Sequence, residues 1–155
     1  MKRAFLYATV ICLSLFVSLI SFSPNENASL VSGILSQTNQ FRKQKGLSKL
    51  IIREELNTIA RKHSADMARG RVAFGHAGFA KRNARAGKEI KGLHSFAENV
   101  AYGATSAKEV VAMWKSSPGH RRNMLGRYQY IGIGTTKDRH GRIYYTEVFA
   151  GVANK

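Results

Sequence analysis

Cysteine is almost missing from this 155-residue chain: one occurs, Cys12, inside an apolar N-terminal run. From Ser21 onward there is none, so disulfides, a thiol nucleophile and a cysteine-ligated zinc site are excluded there, and stability must come from packing. Proline is scarce, at 2 residues, and the 14 glycines follow no three-residue period, which excludes proline-rich and collagen-like architectures. Acidic side chains number 9 against 25 Lys and Arg, a formal net charge of +16. No Gly-rich phosphate loop follows a strand, which argues against a nucleotide-binding domain. No Gly-x-Ser-x-Gly elbow and no His-Glu-x-x-His helix occurs either. What is present suffices for a core: 44% of residues are hydrophobic and 10% aromatic, in a length that suits one domain.

Met1-Lys2-Arg3 precedes a run from Ala4 to Ile20 that carries no charge. A basic start followed by an apolar run reads as a secretory leader. As a helix this run spans about 25 Å, short of the roughly 30 Å hydrocarbon core. Residues 1–23 are therefore expected to be a signal peptide or an N-terminal membrane anchor. Val10-Ile11 before Cys12 lacks the small residue that a lipidated leader needs. Residues 24–29 read as a linker and 30–155 as one domain. The expected localisation is export, either secreted or tethered by an uncleaved N-terminal segment. The Lys and Arg side chains are spread along the whole domain. An exported protein this basic is expected to associate with anionic envelope polymers or anionic lipids. Charge alone speaks for nucleic acid, and it gathers in no single run.

Ser29 is placed to cap a helix from Leu30 to about Lys43, with Leu30, Val31, Ile34, Leu35, Thr38 and Phe41 as its apolar stripe and Gly46 as its stop. A second helix is expected from about Arg53 to Arg69. Leu56, Ile59, Ala60, His63 and Met67 share one of its faces. Residues 70–97 are rich in Gly, Ala and basic side chains, and read as a long functional loop with one helical turn near Ala77 to Ala86. Glu98 to Tyr102 reads as a short strand. Ser106 and Glu109 form a capping box for a helix that carries Val110, Val111 and Trp114 inward and stops before Pro118. Pro118-Gly119-His120 reads as a turn. Ile131 and Ile133 begin a hairpin whose turn is Lys137 to Gly141. On the return strand Ile143, Tyr145, Glu147 and Phe149 share one face, and Tyr144, Thr146 and Val148 the other. Helices first and a hairpin last indicate an α+β fold with helices packed on a sheet.

Five histidines are present, at 63, 76, 94, 120 and 140, and two of the few carboxylates, Glu98 and Glu147, sit in apolar stretches. Imidazoles and a carboxylate can hold a divalent ion such as zinc, or act as general acid and base. Plainer readings stand beside these. His63 lies on an apolar helix face, as a hydrogen-bonded core histidine would. Glu98 can accept backbone N–H bonds, His120 can cap a helix end, and Glu147 can pair with an arginine.

Several ordered blocks then coincide. They are Thr38-Asn39-Gln40-Phe41-Arg42 with Lys45-Gly46-Leu47, the Ala60 to Met67 run, Phe74-Gly75-His76, and Ala97-Glu98-Asn99-Val100-Ala101-Tyr102-Gly103. Trp114 to Leu125, Ile131-Gly132-Ile133-Gly134 and Tyr144 to Phe149 complete them. Together they resemble the CAP superfamily, also called the SCP or PR-1-like domain, in its short cysteine-free bacterial form. The resemblance implies an α-β-α sandwich with a central antiparallel sheet flanked by helices. It implies a cavity with two histidines and two glutamates, of which His76, Glu98 and His120 carry over. In some members the histidines bind zinc or another divalent cation. The second glutamate is replaced here by Ser116 or Ser117, and the residue before Glu98 is Ala97 where the family has glycine. The expected site is therefore His76 and His120 as metal ligands, with Glu98, Ser117 and Glu147 lining it. Glu98 would orient the imidazoles or activate a bound water as a catalytic group. The expected function is a binding module of the envelope. The alternative is a metal-dependent, peptidase-like hydrolase acting on extracellular or envelope material. The family also implies a sterol or fatty-acid ligand.

Overall fold

The computed structural model describes residues 24–153. The leader read in residues 1–23 lies outside the described residues. Nine elements follow in order: α1 (Pro24–Gln44), β1 (Ile51–Ile52), α2 (Glu54–Ala68), α3 (Phe79–Glu89), β2 (Leu93–Tyr102), α4 (Ala107–Ser116), α5 (Pro118–Met124), β3 (Tyr130–Lys137) and β4 (Ile143–Val152). Among the described residues no helix is long and apolar enough to cross a membrane.

The stripe of Ile34, Thr38 and Phe41 buries as its spacing requires. The helix that carries it starts earlier than expected. Residues 24–29, read as a linker, belong to α1, and Ser29 is an interior residue whose carbonyl accepts from Ser32 Oγ. Proline is tolerated in a first turn, where no N–H is required, and Glu26 there suits the helix dipole. Asn27 Oδ1 also accepts from Thr135 Oγ1 of β3, which ties this turn to the sheet. At the other end Gly46 takes φ +72°, the left-handed conformation that lets the chain leave the helix. Buried Arg42 donates to the carbonyls of Ser48, Met124, Gly126 and Tyr128, fastening α1 to the loop after α5.

The sheet has the order β1-β3-β4-β2. The β3/β4 and β2/β4 pairs are antiparallel, whereas the two-residue β1 joins β3 in parallel. The expected central antiparallel sheet is thus present, with a short parallel strand added at one edge. Alternation along β4 sends Tyr145 and Phe149 into one core with Ile34 of α1, Trp114 of α4 and Met124 of α5. It sends Val148 and Ala150 into a second core with Leu56 and Ile59 of α2 and Ala86 of α3. The result is the expected three-layer sandwich. Gly132 and Gly134 let α2 lie directly on β3. A Cβ at Gly134 would stand 2.1 Å from Arg61 N, and one at Gly132 would stand 2.2 Å from Leu56 C.

The stretch 70–97 is less loop-like than its composition indicates. It contains the 11-residue α3 and the first half of β2. The helical spacing of α3 is carried by few residues: Phe79 packs on Phe96, and Ala86 and the following Ile90 are buried, while basic side chains cover the rest of the helix. The beginning of β2 lies at a sheet edge and is half-buried. Pro118 likewise opens a helix, α5, where a turn was expected; its ring fits the first helical position. The capping box at α4 is shifted. Ser106 Oγ accepts from Glu109 N at 3.2 Å, but the Glu109 carboxylate reaches the N–H of Thr105, one residue further out.

Candidate functional site

Glu98 sits mid-strand on β2, and its side chain is fully buried on the α2/α3 side of the sheet. A carboxylate removed from water needs charged or hydrogen-bonding partners. Arg82 of α3 supplies a two-pronged one: its Nε donates to Glu98 Oε2 at 2.5 Å and its Nη2 to Oε1 at 2.7 Å. Two further N–H bonds of Arg82 go to the carbonyls of Ala77 and His76, so this side chain also shapes the loop before α3.

His76 sits on that loop with its side chain 50% exposed. Its Nδ1 lies 2.9 Å from Glu98 Oε1. A carboxylate only accepts, so the proton of a neutral ring sits on Nδ1 and Nε2 keeps its lone pair. His63 of α2 stands behind, with Nε2 donating to the Gly75 carbonyl at 2.8 Å and lying 3.8 Å from Glu98 Oε1. Burial holds the His63 pKa below the ordinary imidazole value, and the Glu98 charge partly opposes this. His63 is thus the hydrogen-bonded core histidine that its helical face indicates, and it also touches the site.

His120 lies near the start of α5 and is half-buried. Burial lowers its pKa, and the nearby His76 lowers it further, because two cationic rings repel. Among the described residues its ring nitrogens have no hydrogen-bond partner, but its backbone is well held. Asn99 Nδ2 donates to the His120 carbonyl at 3.2 Å, and Asn123 Nδ2 donates to Asn99 Oδ1 at 2.9 Å and to the Glu98 carbonyl at 3.1 Å. This clasp fastens α5 to β2 beside Glu98.

The two remaining expected lining residues are Ser117 and Glu147. Ser117 joins α4 to α5 without using its hydroxyl as a cap. Glu147 is fully buried on the opposite face of the sheet, where Thr38 Oγ1 donates to it at 2.9 Å and Asn99 Nδ2 at 3.4 Å. It does not line the space around Glu98: the β4 residue opposite Glu98 is Val148, which packs under α2, and Glu147 is opposite Asn99. Nor does it form an ion pair with an arginine among the described residues. Burial raises the Glu147 pKa to about 7, with the Thr38 and Asn99 bonds and the Arg42 charge opposing.

Sequence reasoning missed Arg82, Asn99 and Asn123. Nothing separates Arg82 from the other basic residues of its stretch. Asn99 and Asn123 carry a usable signal, since each is an amide within a recognised block, and Asn99 falls inside an apolar strand. As a metal centre the arrangement offers two imidazoles, because the Glu98 carboxylate is fully buried and engaged by Arg82 and His76. Among the described residues no three His, Cys, Asp or Glu side chains are grouped to hold an ion.

The profile of the cysteine-rich secretory protein family matches residues 35–149. YkwD of Bacillus subtilis (strain 168) is 31% identical over 137 residues, which are 83% of this chain and 50% of that protein. The membrane protein YlbC of the same strain is 30% identical over 119 residues, 75% of this chain and 33% of that protein. The chain therefore spans half or less of the length of these curated relatives. Among solved structures, an extracellular protein containing an SCP domain from Bacillus anthracis str. Ames superposes with a TM-score of 0.72 at 23% identity, over 84% of this chain and 44% of that one. An outer surface protein from Borrelia burgdorferi superposes with a TM-score of 0.68 at 21% identity, over 77% of this chain and 90% of that one. At these identities the superpositions speak for the fold.

Proposed function

Because the chain belongs to the cysteine-rich secretory protein (CAP) family, we propose that it is an exported binding protein whose His76 and His120 take a divalent cation. One observation carries this reading: the 2.9 Å contact between His76 Nδ1 and Glu98 Oε1. A carboxylate on one ring nitrogen fixes the tautomer and leaves the other nitrogen as the ligand, as it does behind many metal-ligating histidines. Arg82 in turn fixes the carboxylate. The lowered pKa of His120 favours its neutral form, the one that can ligate. Two imidazoles suit zinc or a similar ion and leave the remaining positions to water or to a bound molecule. A bound cation would supply Lewis-acid polarisation there.

The hydrolase alternative draws less support. The Glu98 side chain is fully buried and already accepts three hydrogen bonds from Arg82 and His76, which suits holding a ring better than taking a proton from water. Export is supported by the leader pattern of residues 1–23. The net charge of +16 supports association with anionic envelope polymers or lipid head groups. Zinc titration of the purified protein by calorimetry tests the cation reading. The parent is expected to bind one ion, and His76→Ala/His120→Ala to bind it about tenfold more weakly or worse. Equal affinity in the two proteins ends the cation reading.

A further inference from the structure

Beside the histidine cluster, and bordering it at His63 and Arg82, a cavity of about 430 Å³ opens between α2, the loop after it and α3. Its size is that of a small-molecule site. Ile59 and Val72 give it apolar walls, and His63 and Arg82 stand in its lining with their hydrogen bonds already made. Its charges divide into two sets. Lys62 is bound to Asp66 at 2.6 Å, so that pair is internally neutral. Lys81 and Arg85, one helical turn apart on α3, have no hydrogen bond or ion pair among the described residues. Two uncompensated cations thus border a space with apolar walls, next to a carboxylate, Glu98, that is already satisfied.

We infer that this cavity binds a phosphate monoester carried on an apolar body. The phosphate sits between Arg85 and Lys81, and the body lies against Ile59 and Val72. A guanidinium and an ammonium match the two charges of a phosphate monoester, and the guanidinium fork matches two of its oxygens. The apolar walls exclude inorganic phosphate as the preferred occupant, because it would leave them wet. The inference does not depend on the cation reading, since neither His76 nor His120 lines this cavity.

The test is calorimetric titration with 1-naphthyl phosphate in the presence of EDTA, which removes any contribution from a metal. Flotation with phosphatidylcholine vesicles, with and without phosphatidic acid, forms a second arm. The parent is expected to bind naphthyl phosphate about tenfold more tightly than inorganic phosphate or 1-naphthol. Lys81→Ala/Arg85→Ala is expected to lose about tenfold or more of that affinity, while Lys43→Ala/Lys45→Ala, which removes equal charge elsewhere, is not. Dependence on Lys81 and Arg85 in the naphthyl phosphate arm alone assigns a soluble ester. The same dependence in the vesicle arm assigns a lipid head group. The inference is overturned if neither arm depends on this pair, or if both double variants weaken binding equally.

Discussion

Glu98 and Glu147 lie on neighbouring strands, one register position apart, and both are withdrawn from water, yet they inhabit opposite chemical surroundings. Glu98 meets a guanidinium fork and a half-exposed imidazole. Glu147 meets a hydroxyl and an amide, with no cation in direct contact among the described residues, and burial raises its pKa to about 7. The same residue type in the same sheet therefore serves two purposes. One is a fixed anion that orients a ring at the surface. The other is a buried acid that gains a proton near neutrality. Asn99 joins Glu147 to α5 through one amide: its Nδ2 donates to Glu147 Oε2 and to the His120 carbonyl, and its Oδ1 accepts from Asn123 Nδ2.

Removing the cation from the first environment should have the largest effect. Arg82→Ala leaves Glu98 buried without its partner and is expected to cost about 3–5 kcal/mol in urea denaturation, with much of this recovered in Arg82→Ala/Glu98→Gln. A loss below about 1 kcal/mol would mean that the fork is no buried pair.

The second environment predicts a pH dependence of defined sign. A carboxyl whose folded pKa lies above its unfolded one holds more protons when folded. Its contribution is therefore fully present below the ordinary value near 4.5 and is lost as pH rises through about 7. The parent should accordingly lose up to about 3 kcal/mol, relative to Glu147→Gln, between those limits. His63 and His120, lowered from their ordinary value, act in the opposite sense and cost stability as pH falls, but they cancel when the two proteins are compared. A pH-independent difference between parent and variant would show that Glu147 does not titrate in this window. A smaller effect sharpens the contrast. Thr38→Val removes the donor to Glu147 and should cost about 1–2 kcal/mol above pH 7.5, with less lost below pH 5, where the protonated acid depends on that donor less.

The parts of this molecule that were legible in the sequence are those set by local periodicity. The bounds of α2 and the two faces of β4 follow from apolar spacing alone. The first turn of α1 was not legible, because Asn27 is held by Thr135, far along the chain. Helix α3 was hidden because its apolar side is only Phe79, Ala86 and the following Ile90, set among Gly, Ala and basic residues that read as a loop. For the site, His76, Glu98 and His120 came from block resemblance rather than spacing. Alternation placed Glu147 with Tyr145 and Phe149, but which face Glu98 shares depends on the register of β2 against β4, a long-range fact. Arg82 carries no local mark, since its role arises only when α3 packs over β2.

The central claim is that a buried carboxylate sets the tautomer of a surface imidazole. Nitrogen-15 NMR of the histidine rings in the metal-free protein at pH 8 tests it most directly. His76 is expected to carry its proton on Nδ1, leaving Nε2 bare, and to lose that preference in Glu98→Gln. A ring protonated on Nε2 in the parent, or a tautomer unchanged by Glu98→Gln, would contradict the account.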